Sequence, residues 1–196
     1  MTAPRGEPPP RSGESADTSS VDARHLLDDD GAATAWGQAC GLLQPEEASR
    51  LLRGIAEQGI TFDLLGDLCT RLTDLLPAVS DPDRVLAALG RLLAAVSSPL
   101  STATLFQRDP GALETLLRIF SAGPHLADVV IADPASWEEV RLGQGKPESM
   151  QTLRATLEGA LAGHRETEGA MLAMRRFKRR EMLRIAYGDL VGEQPL

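Results

Sequence analysis

The chain is expected to be all-α, an irregular domain of about nine or ten helices behind a disordered N-terminal tail. Three observations say so. Leu and Ala dominate while aromatics make up only 4% of the 196 residues, a mix that suits helix-on-helix packing rather than a β-sandwich. Apolar residues recur at helical spacing from Val21 onward, with few strand signals. One start device recurs as well: Asp81-Pro82, Asp109-Pro110 and Asp133-Pro134 each set an N-cap acceptor before a residue with no N–H to leave unpaired.

The elements follow in order. Met1 to about Ser20, with Pro4, Pro8, Pro9 and Pro10 among Ser, Gly and Glu, buries too little apolar area to offset ordering entropy and reads as disorder. Asp22 to Leu27 is a short amphipathic start, which the solvated charge run Asp28-Asp29-Asp30-Gly31 breaks. Ala32 to Cys40 is a second short helix carrying Trp36. Pro45 opens Pro45 to Gln58, with Ala48, Leu51, Leu52 and Ile55 inward and Gly59 closing it. Thr61 can cap Phe62 to Leu76, whose leucines keep helical spacing until Pro77 stops them. The Asp-Pro starts give helices at about 82–96, 110–121 and 134–142, Pro124 opens 124–132, and Ser101 caps a short helix ending near Arg108. Gly143-Gln-Gly-Lys-Pro147 is a turn, Pro147 or Glu148 begins a helix to about Ala162, and the last long helix runs from about 165 to 190. The connections are short and no fixed-period repeat is present, which disfavours a solenoid. Three units result: a tail over 1–20, a helical domain over 21–163, and a basic helix with the C-terminal end over 164–196.

Net charge is −8, yet His164 to Arg184 holds seven Lys/Arg against three Asp/Glu. An acidic chain with one basic helix is a poor general nucleic-acid binder, and the expectation is no nucleic-acid partner. No apolar run reaches the length of a membrane span and no signal-peptide core is present, so no membrane partner is expected either. Cys40 and Cys69 have no metal-like spacing, and two cysteines fit a reducing cytoplasm better than a disulfide framework. The chemistry motifs are missing: no phosphate-cradling Gly-rich loop followed by Lys-Ser/Thr, no Gly-x-Ser-x-Gly elbow. His25, His125 and His164 have no companions at ligand spacing, and Trp36 and Trp137 read as core anchors. No catalytic, cofactor-binding or metal-binding residue is expected.

The informative stretch is Met174-Arg-Arg-Phe-Lys-Arg-Arg-Glu-Met-Leu-Arg-Ile-Ala-Tyr-Gly-Asp-Leu190. At about 100° per residue, Met171, Met174, Met182 and Ile185 share one face, and Leu172, Leu183, Tyr187 and Leu190 the opposite one. Lys178 and Glu181 fall inside the first apolar face, three residues apart and able to pair. A surface helix has one apolar stripe; two imply a helix clamped on both sides, with Glu181 neutralised by Lys178, Arg184 or a partner's cation. Solvated arginines are the plainer account of its charge, and stacking of Phe177 and Tyr187 on bases is opposed by the acidic bulk.

These residues resemble the Arg-rich segment of bacterial glutamine synthetase adenylyltransferases, the bifunctional adenylyl-transferring and adenylyl-removing enzymes. Upstream, Leu116-Leu-Arg-Ile-Phe-Ser-Ala-Gly-Pro-His-Leu-Ala-Asp-Val-Val-Ile-Ala-Asp-Pro134 is similar to a second segment of that family, in the same order and at about the same spacing. The resemblance covers roughly Leu42 to Leu190. One departure is that the family's usual Trp-Arg before Asp stands here as Tyr187-Gly188, where Gly188 is expected to weaken the helix end. In the family both segments precede a nucleotidyltransferase domain, marked by paired glycines and an Asp-x-Asp that holds Mg²⁺ and nucleotide phosphates. The Asp-x-Asp at Asp81-Pro-Asp83 lacks those glycines and reads as a helix start.

The resemblance therefore implies the N-terminal helical region of such an enzyme, a fragment without the nucleotidyltransferase motif. Mg²⁺ and ATP would belong to the full-length enzyme and not to this chain. Glutamine synthetase and the PII signalling protein would be partners. The junction to the nucleotidyltransferase domain would be formed by Met174, Arg176, Phe177, Lys178, Arg179, Arg180, Glu181, Met182, Arg184, Ile185 and Asp189. The alternative is a stand-alone acidic helical module that docks to another protein through residues 171–190.

Overall fold

A computed structural model describes residues 21–164 and 166–192. The disorder expected for residues 1–20 lies outside the described residues. The described residues form eleven α-helices and two 3₁₀ turns, and no strand occurs among them. The all-α expectation therefore holds, with eleven helices rather than nine or ten.

Each start and stop has a local cause. Asp22 accepts from the N–H groups of Arg24 and His25 and begins α1, Ala23–Asp28. Asp29 turns the chain in extended conformation and caps α2, Asp30–Ala39, through Gly31 N–H. The charge run is solvated as expected, with all three aspartates exposed, and it also does structural work: Asp30 accepts from Ser49 Oγ at 2.5 Å and from Arg53 at 2.7 Å, tying α2 to α3. Pro45–Glu47 is a 3₁₀ turn, so α3 begins only at Ala48 and runs to Ala56. Thr61 caps α4, Phe62–Leu75, and Pro77 ends it in a second 3₁₀ turn.

Asp81 and Asp109 do cap as expected, accepting from Arg84 N–H before α5, Pro82–Ala95, and from Ala112 N–H before α7, Pro110–Ala122. α6, Pro99–Arg108, is capped by Ser98 and not by Ser101: a Ser-Pro pair repeats the Asp-Pro device one turn earlier. α8, Pro124–Ala132, and α9, Pro134–Leu142, also open on proline, but the Asp133 side chain makes no cap bond; Ser136 Oγ donates instead to the Asp133 carbonyl at 2.7 Å. α10, Met150–Ala162, starts at its cap Ser149 rather than at Pro147, because Gln144 and Gly145 at φ 55° and 59° carry the turn further. α11 is Thr167–Gly192.

The core is one continuous cluster. Leu86, Leu89 and Leu93 of α5 meet Leu113, Leu116 and Ile119 of α7, all fully buried. α3, α6 and α8 pack onto this pair, α4 packs on α6, and α11 lies across α7, α8 and α9. Trp36 and Trp137 are core anchors, 6% and 4% exposed; Trp36 Nε1 donates to the Cys69 carbonyl, and Trp137 meets Phe106 edge to face. α10 packs chiefly on α11 through half-buried Leu153, Leu157 and Leu161, and none of its residues is fully buried.

Candidate functional site

α11 is anchored in the core by one face, and the 143–147 turn and α10 pack along one flank of it. Leu183 is fully buried and Tyr187 is 7% exposed, both within the core cluster, with Leu190 packed against it. Burial pushes the Tyr187 phenol pKa up; Arg141 opposes this, Asp109 adds to it, and a hydrogen bond with Thr115 opposes it. Beneath the helix, Arg141 pairs with Asp109 at 2.9 Å, only 15% of its side chain exposed, and its guanidinium lies 5.8 Å from the Trp137 ring centre. Asp109 thus serves as helix cap and counter-ion at once. The 32-residue separation of that pair leaves no signal in the sequence beyond the Asp-Pro start.

The opposite face is bare. Met171, Met174 and Ile185 are 48%, 51% and 55% exposed. Met182 is half-buried, and Lys178 and Asp189 are exposed along the same side. Arg176 and Arg179 are exposed, while Phe177 turns half-buried toward α10. The structure therefore separates the expected interface residues into two sets.

Arg180, Glu181 and Arg184 form the second set, a network with the 143–147 turn and α9. Glu181 pairs with Arg184 at 2.7 Å, their side chains 17% and 14% exposed. Arg184 also donates to the Lys146 carbonyl at 2.9 Å, and Arg180 reaches Glu139 at 3.4 Å. The expected Lys178–Glu181 pair does not form: Lys178 lies on the bare face, and the cation that neutralises Glu181 is Arg184. Gly188 is no weak end either. The helix continues past it to Gly192, and the backbone of the 143–147 turn rests directly on it. A Cβ on Gly188 would stand 2.9 Å from the Gly145 carbonyl oxygen, and one on Gly145 would stand 2.7 Å from Gly188 N.

The Asp-x-Asp pair is fully occupied by folding. Asp81 caps α5, and both carboxylate oxygens of Asp83 accept from the N–H groups of Leu43 and Gln44, at 2.7 and 3.0 Å. Such a pair does not fit a Mg²⁺ site. Among the described residues no group of three or more His, Cys, Asp or Glu is placed to hold a metal ion, and no helix is long and apolar enough to cross a membrane. His25, His125 and His164 are exposed. Cys40 and Cys69 are buried free thiols: burial pushes Cys40 up to about 11 and Cys69 higher still.

The family model described as glutamate-ammonia ligase adenylyltransferase matches residues 113–196, which hold α7 through α11. Among individual proteins, the bifunctional glutamine synthetase adenylyltransferase/adenylyl-removing enzyme of Pseudomonas putida is 30% identical over 182 residues, covering 86% of this chain and 18% of its own length. The Pseudomonas aeruginosa enzyme of the same name is 29% identical over 182 residues, covering 87% and 18%. That of Leifsonia xyli is 29% identical over 117 residues, covering 59% and 12%. The chain thus spans less than a fifth of these relatives' length. No solved structure matches it significantly.

Proposed function

We propose, from the match of residues 113–196 to the glutamate-ammonia ligase adenylyltransferase family model, that the chain is the N-terminal helical region of a bifunctional glutamine synthetase adenylyltransferase and adenylyl-removing enzyme. In this reading the enzyme regulates glutamine synthetase by adding AMP from ATP and removing it by phosphorolysis, in the cytoplasm, under control of a PII-type signalling protein. Mg²⁺ and ATP act at a nucleotidyltransferase domain, and this chain is its scaffold.

The observation that carries the reading is the two-sidedness of α11. One face is sunk in the core at Leu183 and Tyr187, while Met171, Met174 and Ile185 remain about half exposed on the other. Three large apolar side chains aligned along one helix face form the kind of strip that a partner covers. Lys178 beside it would set the register against an acidic rim.

The test uses the chain and the nucleotidyltransferase domain of the Pseudomonas putida relative as separate polypeptides. The two should form a complex measurable by calorimetry. Met174→Asp with Ile185→Asp should weaken it at least tenfold without lowering the chain's melting temperature. Failure of the wild-type chain to bind, or indifference to both charges, would remove the reading. The isolated chain with labelled ATP, Mg²⁺ and glutamine synthetase should transfer no AMP; transfer would place an active site in residues assigned here to scaffolding.

A further inference from the structure

Toward its N-terminus, the core-facing side of α11 rises out of the core: Leu172 is 51% exposed there and arginines surround it. Arg175, Arg176, Arg179 and Arg180 line one wall of a cavity of about 460 Å³, and Asp133 and Ser136 stand on the other, at the corner between α8 and α9. Four guanidiniums meet one carboxylate. Arg180 is partly compensated by Glu139. Among the described residues no carboxylate lies within 4.0 Å of Arg175, Arg176 or Arg179.

The facing wall carries the Asp133 carboxylate and the start of α9. α9 is nine residues long and begins there without a side-chain cap, so the donors of its first turn have no carboxylate on them. In a chain of net charge −8, this concentration of uncompensated cations around a cavity differs from a solvated face, where acids would be interspersed.

We propose that this cavity is an anion site that takes a phosphate group, from inorganic phosphate or from a nucleotide. The choice of phosphate over carboxylate follows from donor geometry. A guanidinium is a planar fork, and a tetrahedral dianion offers oxygens to several forks at once, whereas a carboxylate matches one. The volume admits more than an inorganic ion, so a nucleoside monophosphate is within its capacity. The site stands on residues of this chain alone and does not depend on the bare face of α11 or on a downstream domain.

The experiment titrates the whole chain with inorganic phosphate, and separately with AMP, at constant ionic strength set by chloride, reading thermal midpoint and calorimetric affinity. Saturable binding is expected. Arg176→Gln with Arg179→Gln, both exposed positions, should weaken it at least tenfold while leaving the helical spectrum unchanged. Asp133→Asn should tighten it several-fold by removing the one like charge, and Lys178→Gln on the opposite face should leave it unaltered. Tighter binding of AMP than of phosphate assigns the group to a nucleotide; the reverse assigns it to the free ion. Three results would overturn the site: a response no greater than that to chloride, an affinity unchanged in the double arginine variant, or a polyglutamate peptide binding more tightly than either phosphate probe. The last would mean that the arginines receive an acidic protein segment. Each readout is independent of complex formation with a nucleotidyltransferase domain, so this site and the scaffold reading fail separately.

Discussion

Leu183 and Ile185 are two residues apart on one helix, about 200° around its axis, and the structure gives them opposite fates. Leu183 is fully buried beside Tyr187; Ile185 is 55% exposed. Truncating each to alanine therefore separates anchoring from docking. Leu183→Ala removes three buried carbons and leaves a cavity where α11 crosses α7 and α9, at an expected cost of about 3 kcal/mol, within the roughly 2–5 kcal/mol seen for such changes. For a chain of this size that lowers the melting temperature by about 6–12 °C. Ile185→Ala removes little buried area and trades a β-branched residue for the best helix former, so its effect stays within about 0.5 kcal/mol. Urea unfolding followed by circular dichroism measures both, with an unchanged m-value confirming that only stability moved. Equal costs for the two substitutions, or a cost under about 1 kcal/mol for Leu183→Ala, would refute the one-sided burial on which the scaffold reading stands.

Three further outcomes are expected. Gly145→Ala forces a side chain both into φ 59° and against Gly188, costing at least about 1–3 kcal/mol; Gly188→Ala meets the same contact from the other side, so the double variant costs less than the sum of the singles. Glu181→Ala strips the partner from Arg184, 14% exposed, and should cost about 1–3 kcal/mol by thermal melting, while Lys178→Ala should cost nothing measurable. Alkaline stability follows from the thiols. Burial raises both folded pKa values above the ordinary thiol value, so the stability contributed by the neutral thiols is fully present below about pH 9 and falls as pH rises, through about 11 for Cys40 and higher still for Cys69. Melting temperature should fall across that window, and Cys40→Ala with Cys69→Ala should flatten the fall.

Helices were legible where local chemistry decides them. Thr61, Asp81 and Asp109 each place an acceptor before a helix, and the helices begin there. Ser98-Pro99 starts α6 one turn before Ser101, an equally good cap by type; only the proline distinguishes them. The two faces of α11 were legible from spacing, since alternatives a hundred degrees apart cannot share one neighbour. Which cation holds Glu181 was not legible. Lys178 and Arg184 stand at the same separation from it, and the choice is made by the Lys146 carbonyl, which bonds Arg184 from a turn about forty residues away in the chain. The meaning of Gly188 was hidden for the same reason: propensity counts it as a loss, whereas contact with Gly145 makes its missing side chain a requirement. The arginine cavity needs both α11 and the α8–α9 corner, so no window of sequence contains it.

α10 is fastened unevenly. At its start the 143–147 turn is pinned to α11 by backbone against backbone and by Arg184 on Lys146. Along its length it offers only half-buried leucines to one neighbour. Such an element is a lever with a fixed fulcrum: opening it exposes little apolar area and leaves the α5–α7 core untouched. Its amides should therefore exchange with solvent at a free energy well below that of global unfolding, in a unit separate from the core helices. Substitutions and insertions should sort the same way, accepted near Gly159 and Gly163, where an added Cβ meets nothing within 4 Å, and rejected at Gly145.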